Sequence, residues 1–189
     1  DLLVKNAKRV IDLGEYGRLR QRASLSSFSI PDKEISNSIW DQREGSVLRS
    51  PFYRNLLREE RRVLEAHANE SGCDLIIDPE FCLERNGKEA THCRLRILLQ
   101  FLESQAGRKT QVALSSQARN GNLTIVGDWF SAESVSPRPG EGHRQTVFNW
   151  HAPSVLHTLH TFDEAFEECL NENNLRPELS RQNAVTLIK

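Results

Sequence analysis

What this chain lacks narrows it quickly. It contains no methionine, only two tyrosines, and four cysteines in 189 residues. Nowhere does it hold the roughly 18–20 consecutive apolar residues that cross a bilayer. It also does not open on a basic, apolar-cored leader, so no membrane partner is expected. Charge of one sign is missing too. Twenty-five basic residues meet 26 acidic ones for a formal net charge of −1, so whole-protein electrostatics favour neither nucleic acid nor a membrane surface. Cys73, Cys82, Cys93 and Cys169 make neither a close pair nor an extracellular framework, which points to reduced thiols and a cytoplasmic setting.

What is present fits one folded domain: 38% hydrophobic and 27% charged residues exclude collagen, disulfide miniproteins and wholly disordered tails. A methionine-free chain that opens on Asp1 reads as a piece of a longer protein. An effector or DNA-binding region is therefore expected before Asp1.

Residues 1–50 are expected to form an N-terminal helix and linker segment, and residues 51–189 the α/β domain. Leu2, Leu3, Ala7, Val10 and Ile11 recur at helical spacing until Gly14 and Gly17. The Ser-rich stretch 24–31 follows, read as a linker or strap. Residues 1–62 carry about +4 and residues 63–189 about −5, a mild asymmetry that identifies no partner. Ser50-Pro51 predicts a helix start, with Tyr53, Leu56, Leu57, Val63 and Leu64 on one side. Arg54, Arg58, Arg61 and Arg62 fall on another side, and Gly72 ends the helix.

Beyond Gly72 the pattern predicts a buried strand over 73–78, a loop over 80–89 turned by Asn86-Gly87, and a largely buried helix over 90–105. Strands are predicted over 111–114, 122–126, 129–135 and 145–150, with a Pro/Gly loop over 137–142. Val155, Leu159, Phe162, Phe166, Cys169 and Leu170 draw the apolar stripe of a closing helix. The final Ala-Val-Thr-Leu-Ile reads as a short edge strand. The fold class is α/β: a mixed sheet of about five strands with packed helices.

The run from Asn122 to Ser134, Asn-Leu-Thr-Ile-Val-Gly-Asp-Trp-Phe-Ser-Ala-Glu-Ser, resembles the catalytic-strand region of phospholipase D-like domains. The closing helix with Phe162 and Phe166 is similar to that family's as well. The resemblance covers residues 73–170 and implies one repeat of that fold. In the family a strand carries His-x-Lys, with His as nucleophile and Lys steadying the phosphoryl charge. Here Asn122 and Thr124 stand in those places, and Asp128 is one position off the expected spacing. The resemblance therefore implies a non-hydrolytic derivative that binds, dimerises or regulates.

The candidate ligand site gathers Asp128, Trp129, Phe130, Ser131 and Glu133, with His143, Arg144 and His151 flanking the strand 145–150. Acids and a hydroxyl at a pocket rim with an aromatic stacking face suit a small ligand. Arg144 offers a planar fork to an anion. The plainer reading makes Trp129 and Phe130 core residues, Asp128 a turn former, and His143-Arg144 part of a solvated hairpin. His157, His160 and Glu164 have ligand-like helical spacing but share a polar face with Glu167 and Glu168. Cys73, Cys82, His92 and Cys93 lack the tight spacing of a zinc site, so no metal is expected. The Arg54/Arg58/Arg61/Arg62 stripe reads as a solvated face neutralised by Glu59, Glu60 and Glu65. No phosphate loop, nucleophile elbow or nucleotide fingerprint appears, so no cofactor is expected.

Two functions follow. One is a non-catalytic regulatory or ligand-sensing domain, a homodimer binding a small anionic ligand within a transcription regulator or signalling protein. The alternative is a hydrolase of phosphodiesters or nucleic acid using His143, His151 and Asp128 or Glu133. The hydrolase needs a histidine within about 4 Å of an acid in a cleft. The sensor needs a pocket near Trp129.

Overall fold

The computed structural model describes residues 2–13, 17–31, 51–135 and 145–189. Within them the elements run α1 (Leu2–Leu13), β1 (Leu19–Ala23), α2 (Pro51–Ser71), β2 (Cys73–Ile77), α3 (Pro79–Asn86), α4 (Lys88–Glu103), β3 (Thr110–Leu114), β4 (Asn122–Val126), β5 (Phe130–Val135), β6 (Gln145–Asn149), α5 (Ala152–Glu172) and α6 (Pro177–Ile188). Short 3-10 turns cover Ser27–Ser29 and Ser116–Asn120.

The strands form one mixed sheet of six in the order β3-β2-β1-β4-β5-β6. β3, β2 and β1 are mutually parallel, whereas β4 runs antiparallel to β1 and is followed by the antiparallel hairpin neighbours β5 and β6. β1 is therefore the seam between the parallel and antiparallel halves. Its parallel crossovers carry helices, as parallel pairing requires.

Side chains alternate across the pleat, and each face of the sheet buries its own set. On one face Leu19, Cys73, Leu75, Ile77, Val112, Val126 and Phe130 pack with Val4, Leu64, Ala68, Leu98, Phe101 and Ala184 from the helices α1, α2, α4 and α6. On the other, Ile76, Ala113, Leu123 and Ile125 meet Val155, Phe162, Phe166, Cys169 and Leu170 of α5. The α5 stripe is the one read from the sequence.

Three expectations are corrected. The opening segment supplies the central strand β1 as well as α1. Its Leu-Arg-Gln-Arg-Ala alternates as a strand does, with Leu19, Gln21 and Ala23 on the buried side. Residues 79–86 are helix rather than loop. Asp78 caps the helix by accepting from Phe81 N at 2.9 Å, Pro79 occupies its first turn, and Gly87 ends it with φ +80°. The terminal Ala-Val-Thr-Leu-Ile lies in α6, where Ser180, Ala184 and Val185 form the buried face.

The arginine stripe of α2 is not a solvated face. Arg54 is buried. Arg58 Nε donates to the Pro31 carbonyl at 3.1 Å, Arg61 Nη1 donates to the Ile30 carbonyl, and Arg94 of α4 donates to Ser29 Oγ at 2.9 and 3.1 Å. These bonds hold the segment 26–31 as a strap across the helices, with Phe28 stacked on Phe101 at 4.0 Å. Arg62 alone of the four stays exposed.

Candidate functional site

Parallel strands bring their carboxyl ends to one edge of a sheet, and ligands of open α/β sheets bind outside that edge. Here it is formed by the ends of β1, β2 and β3 and, by antiparallel register, by the start of β4, the end of β5 and the start of β6. Arg18, just before β1, and Arg20 and Arg22 within it form a row that runs toward this edge. Arg18, Arg20 and Arg22 sit two residues apart, so they project on the face that carries α5.

The three arginines are not equivalent. Arg18 Nε meets Asp74 Oδ2 at 2.7 Å. Burial works against its charge, yet the bond to Asp74 raises the guanidinium above its ordinary value. Arg20 grips Asp163 of α5 with two bonds, at 2.5 and 2.9 Å. Arg22 is nearest the carboxyl-end edge, and its Nη2 reaches Glu133 of β5 only at 3.5 Å. Its Nε is buried and makes no hydrogen bond among the described residues. The side chain of Arg22 is 16% exposed, that of Glu133 47%.

The opposite face of the same edge is already satisfied. Gln21 Nε2 donates to Thr124 Oγ1 at 3.2 Å and to Ser27 Oγ at 3.0 Å, while Gln21 Oε1 accepts from Ser27 N at 2.9 Å. Ser27 Oγ donates to Glu60 Oε1 at 2.7 Å. Burial pushes the Glu60 carboxyl above its usual range against that hydrogen bond. Farther along, Asp78 accepts from Arg119 Nε at 2.6 Å, and Arg119 lies over the Phe81 ring at 5.3 Å.

The sequence-predicted residues are spread over both ends of the sheet. Asp128 is exposed in the turn between β4 and β5. Trp129 packs its ring onto Gly127 beside Gly17: a Cβ built on Gly127 would lie 2.0 Å from Trp129 Cζ3, and one on Gly17 would lie 2.3 Å from Gly127 Cα. One side of the Trp129 ring thus lies against the chain's own backbone. Phe130 is wholly buried and lies 5.4 Å from Trp150 and 6.2 Å from Phe148, ring to ring. Ser131 is buried on the α5 side. Glu133, five residues beyond Asp128, stands toward the far end of β5, where it meets Arg22. His143 and Arg144 lie outside the described residues.

His151 is exposed at the start of α5, where its Nδ1 lies 2.9 Å from Ser154 Oγ. This contact joins two side chains within the helix entry, and neither Asp128 nor Glu133 is among the hydrogen-bond partners of His151. His157, His160 and Glu164 are exposed on α5. Among the described residues no group of three His, Cys, Asp or Glu could hold a metal ion. Burial raises the thiols of Cys73 and Cys169, which disfavours the nucleophilic thiolate.

Arg22 and Gln21 were not singled out from the sequence, and Glu60 was read only as a neutraliser of the α2 arginines. The available signal was the period-2 run Arg18-Leu-Arg-Gln-Arg-Ala between Gly17 and Ser24, a strand pattern whose polar side is all guanidinium. Comparison with protein-family models, with curated proteins and with solved structures returns no match for the chain.

Proposed function

We propose that this chain is a non-catalytic recognition domain of the regulatory type, which binds a small anionic ligand against Arg22 at the carboxyl-end edge of β1. The observation that carries the reading is the inequality within the arginine row. Arg18 and Arg20 have close acidic partners, whereas Arg22 keeps a buried, unbonded Nε and a loose contact at 3.5 Å. A buried donor without an acceptor costs about 1–3 kcal/mol, and a carboxylate or phosphate laid across the guanidinium fork removes that cost with two charge-assisted bonds. Glu133 can yield its place, because its half-exposed side chain is rehydrated on turning outward and Arg22 is too buried to follow.

The phospholipase D-like likeness agrees with recognition rather than turnover. The place of that family's lysine is held by Thr124, which is engaged in the Gln21 network, and the place of its nucleophile by Asn122. In that reading the regulated partner is the effector or DNA-binding region of a longer protein.

The test is a thermal-shift and calorimetric titration with inorganic phosphate and with a small dicarboxylate. One of the two raises the melting temperature, by an amount set by about 2.7 kcal/mol at a hundredfold excess over Kd. Arg22→Gln abolishes the shift and Glu133→Gln enlarges it. A shift unchanged in Arg22→Gln overturns the assignment.

A further inference from the structure

The strand register places the surroundings of Arg22 in one lateral row. Arg22 of β1 stands opposite Leu123 of β4, Leu123 opposite Glu133 of β5, and Glu133 opposite Val147 of β6. Residues paired in this way share a face of the sheet, here the face that carries α5. On the other side of Arg22 the row continues to Ile76 of β2. Leu123 and Ile76 are buried in the cluster that α5 covers, whereas the Glu133 side chain is 47% and Val147 54% exposed. The row from Ile76 to Val147 is thus apolar except for one guanidinium and one carboxylate. The same strand also shows how its arginines take an anion. Two residues earlier on that face, Arg20 offers Nε and Nη2 side by side to the two oxygens of Asp163. In Arg22 the corresponding pair is nearly idle: Nη2 meets Glu133 Oε1 at 3.5 Å, and the buried Nε has no partner among the described residues.

We propose that the ligand of the Arg22 site is a short-chain aliphatic monocarboxylate, with its head on Nε and Nη2 of Arg22 and its chain against Val147. This rests on the reading of Arg22 as an anion site and sharpens it, naming carboxylate over phosphate and Val147 as the residue that sets specificity. Three features carry the choice. The fork of Nε and Nη2 matches the two coplanar oxygens of a carboxylate, as Arg20 and Asp163 already demonstrate on this strand. Charge points the same way. A monoanion that displaces Glu133 leaves Arg22 paired one for one, whereas a phosphate dianion brings a second negative charge beside Asp163 and Glu133. Arg18 and Arg20 cannot neutralise it, since both already hold acids. Finally, the group to be displaced is itself a carboxylate on two methylenes. When Glu133 turns outward, the place it leaves between Leu123 and Val147 has the length of a short acid and apolar neighbours on both sides.

The experiment is calorimetric titration of the whole chain, at fixed ionic strength, with acetate, propionate, butyrate and inorganic phosphate. In wild type Kd falls about fourfold for each added methylene, the ratio that burying one CH2 gives, and phosphate binds more weakly than butyrate. Val147→Ser flattens the series, Val147→Ile keeps it, and Arg22→Gln abolishes binding of all three acids. A series already flat in wild type, phosphate bound more tightly than butyrate, or a series unaltered in Val147→Ser overturns the monocarboxylate assignment. If Arg22→Gln still abolishes the binding seen in any of those cases, the anion site itself stands. Failure of all four anions to bind wild type overturns both.

Discussion

Asp163 of α5 takes both Nε and Nη2 of Arg20, at 2.5 and 2.9 Å, and so ties α5 to the central strand. The contact fixes geometry as well as energy, because a bidentate fork tolerates little rotation. The Arg20 side chain is 13% exposed and that of Asp163 38%, so water screens one partner in part and moderates the loss.

Asp163→Asn is therefore expected to cost about 1–2 kcal/mol in urea unfolding, and Arg20→Ala more, about 2–4 kcal/mol, since it removes packing and strands an acid. A double-mutant cycle gives a coupling of at least about 1 kcal/mol. Coupling near zero would show that α5 is held by its apolar stripe alone.

Gly127→Ala is expected to destabilise by about 2–4 kcal/mol. Gly127 has φ +55°, a conformation unfavourable to a side chain, and the new methyl would meet the Trp129 ring. The double variant Gly127→Ala/Trp129→Ala relieves the clash and leaves the backbone strain. Equal melting temperatures for wild type and Gly127→Ala would contradict this packing.

His67 is wholly buried on α2, with Nε2 3.0 Å from the Gly17 carbonyl and the Ala7 backbone also against the ring. The carbonyl fixes the neutral tautomer with its proton on Nε2. Burial lowers the ring's pKa and outweighs the Gly17 and Ala7 backbone bonds, which favour the charged ring, so the unfolded chain takes up a proton more readily than the folded chain. Stability contributed by neutral His67 is then complete above about pH 6.5, the unfolded value, and falls as pH drops below it. Urea titrations at pH 7.5 and 5.5 should show a larger loss in wild type than in His67→Gln; identical slopes would remove His67 from the account.

Glu60 behaves in the opposite sense. Burial raises its carboxyl, so the folded chain keeps a proton longer than the unfolded chain, and stability declines as pH rises from about 4.3 upward. Glu60→Gln keeps an acceptor for Ser27 Oγ without the buried charge. It should match wild type near pH 4 and exceed it at pH 7, as read by thermal unfolding.

Much of the fold was legible wherever periodicity and punctuation agreed. The start of α2 at Pro51, the apolar stripe of α5 and the strands β2 to β6 were read close to their observed bounds, while Ser50 lies outside the described residues. The failures share a cause. β1 hides because its polar face is arginine, whose burial depends on Asp74, Asp163 and Glu133 from distant elements. α3 hides because Asn86-Gly87 marks a helix end as readily as a hairpin turn. The tail read as strand because apolar runs are ambiguous, and α6 is decided by Pro177 and by packing of Ala184 and Val185. The arginines of α2 were assigned to solvent because the strap 26–31 that they bind is invisible to helical spacing. Of the expected ligand residues, Glu133 reaches the carboxyl-end edge, and its partner Arg22 could be found only once β1 was known to be a strand.

The most direct measurement follows the Arg22 side-chain Nε–H resonance by nuclear magnetic resonance during titration with inorganic phosphate and with a small dicarboxylate. A saturable downfield shift of Arg22 with one of these anions, while Arg18 and Arg20 stay fixed, is the expected result. Uniform small drifts of all three arginines, or no movement of Arg22 with either anion, would contradict recognition at this edge.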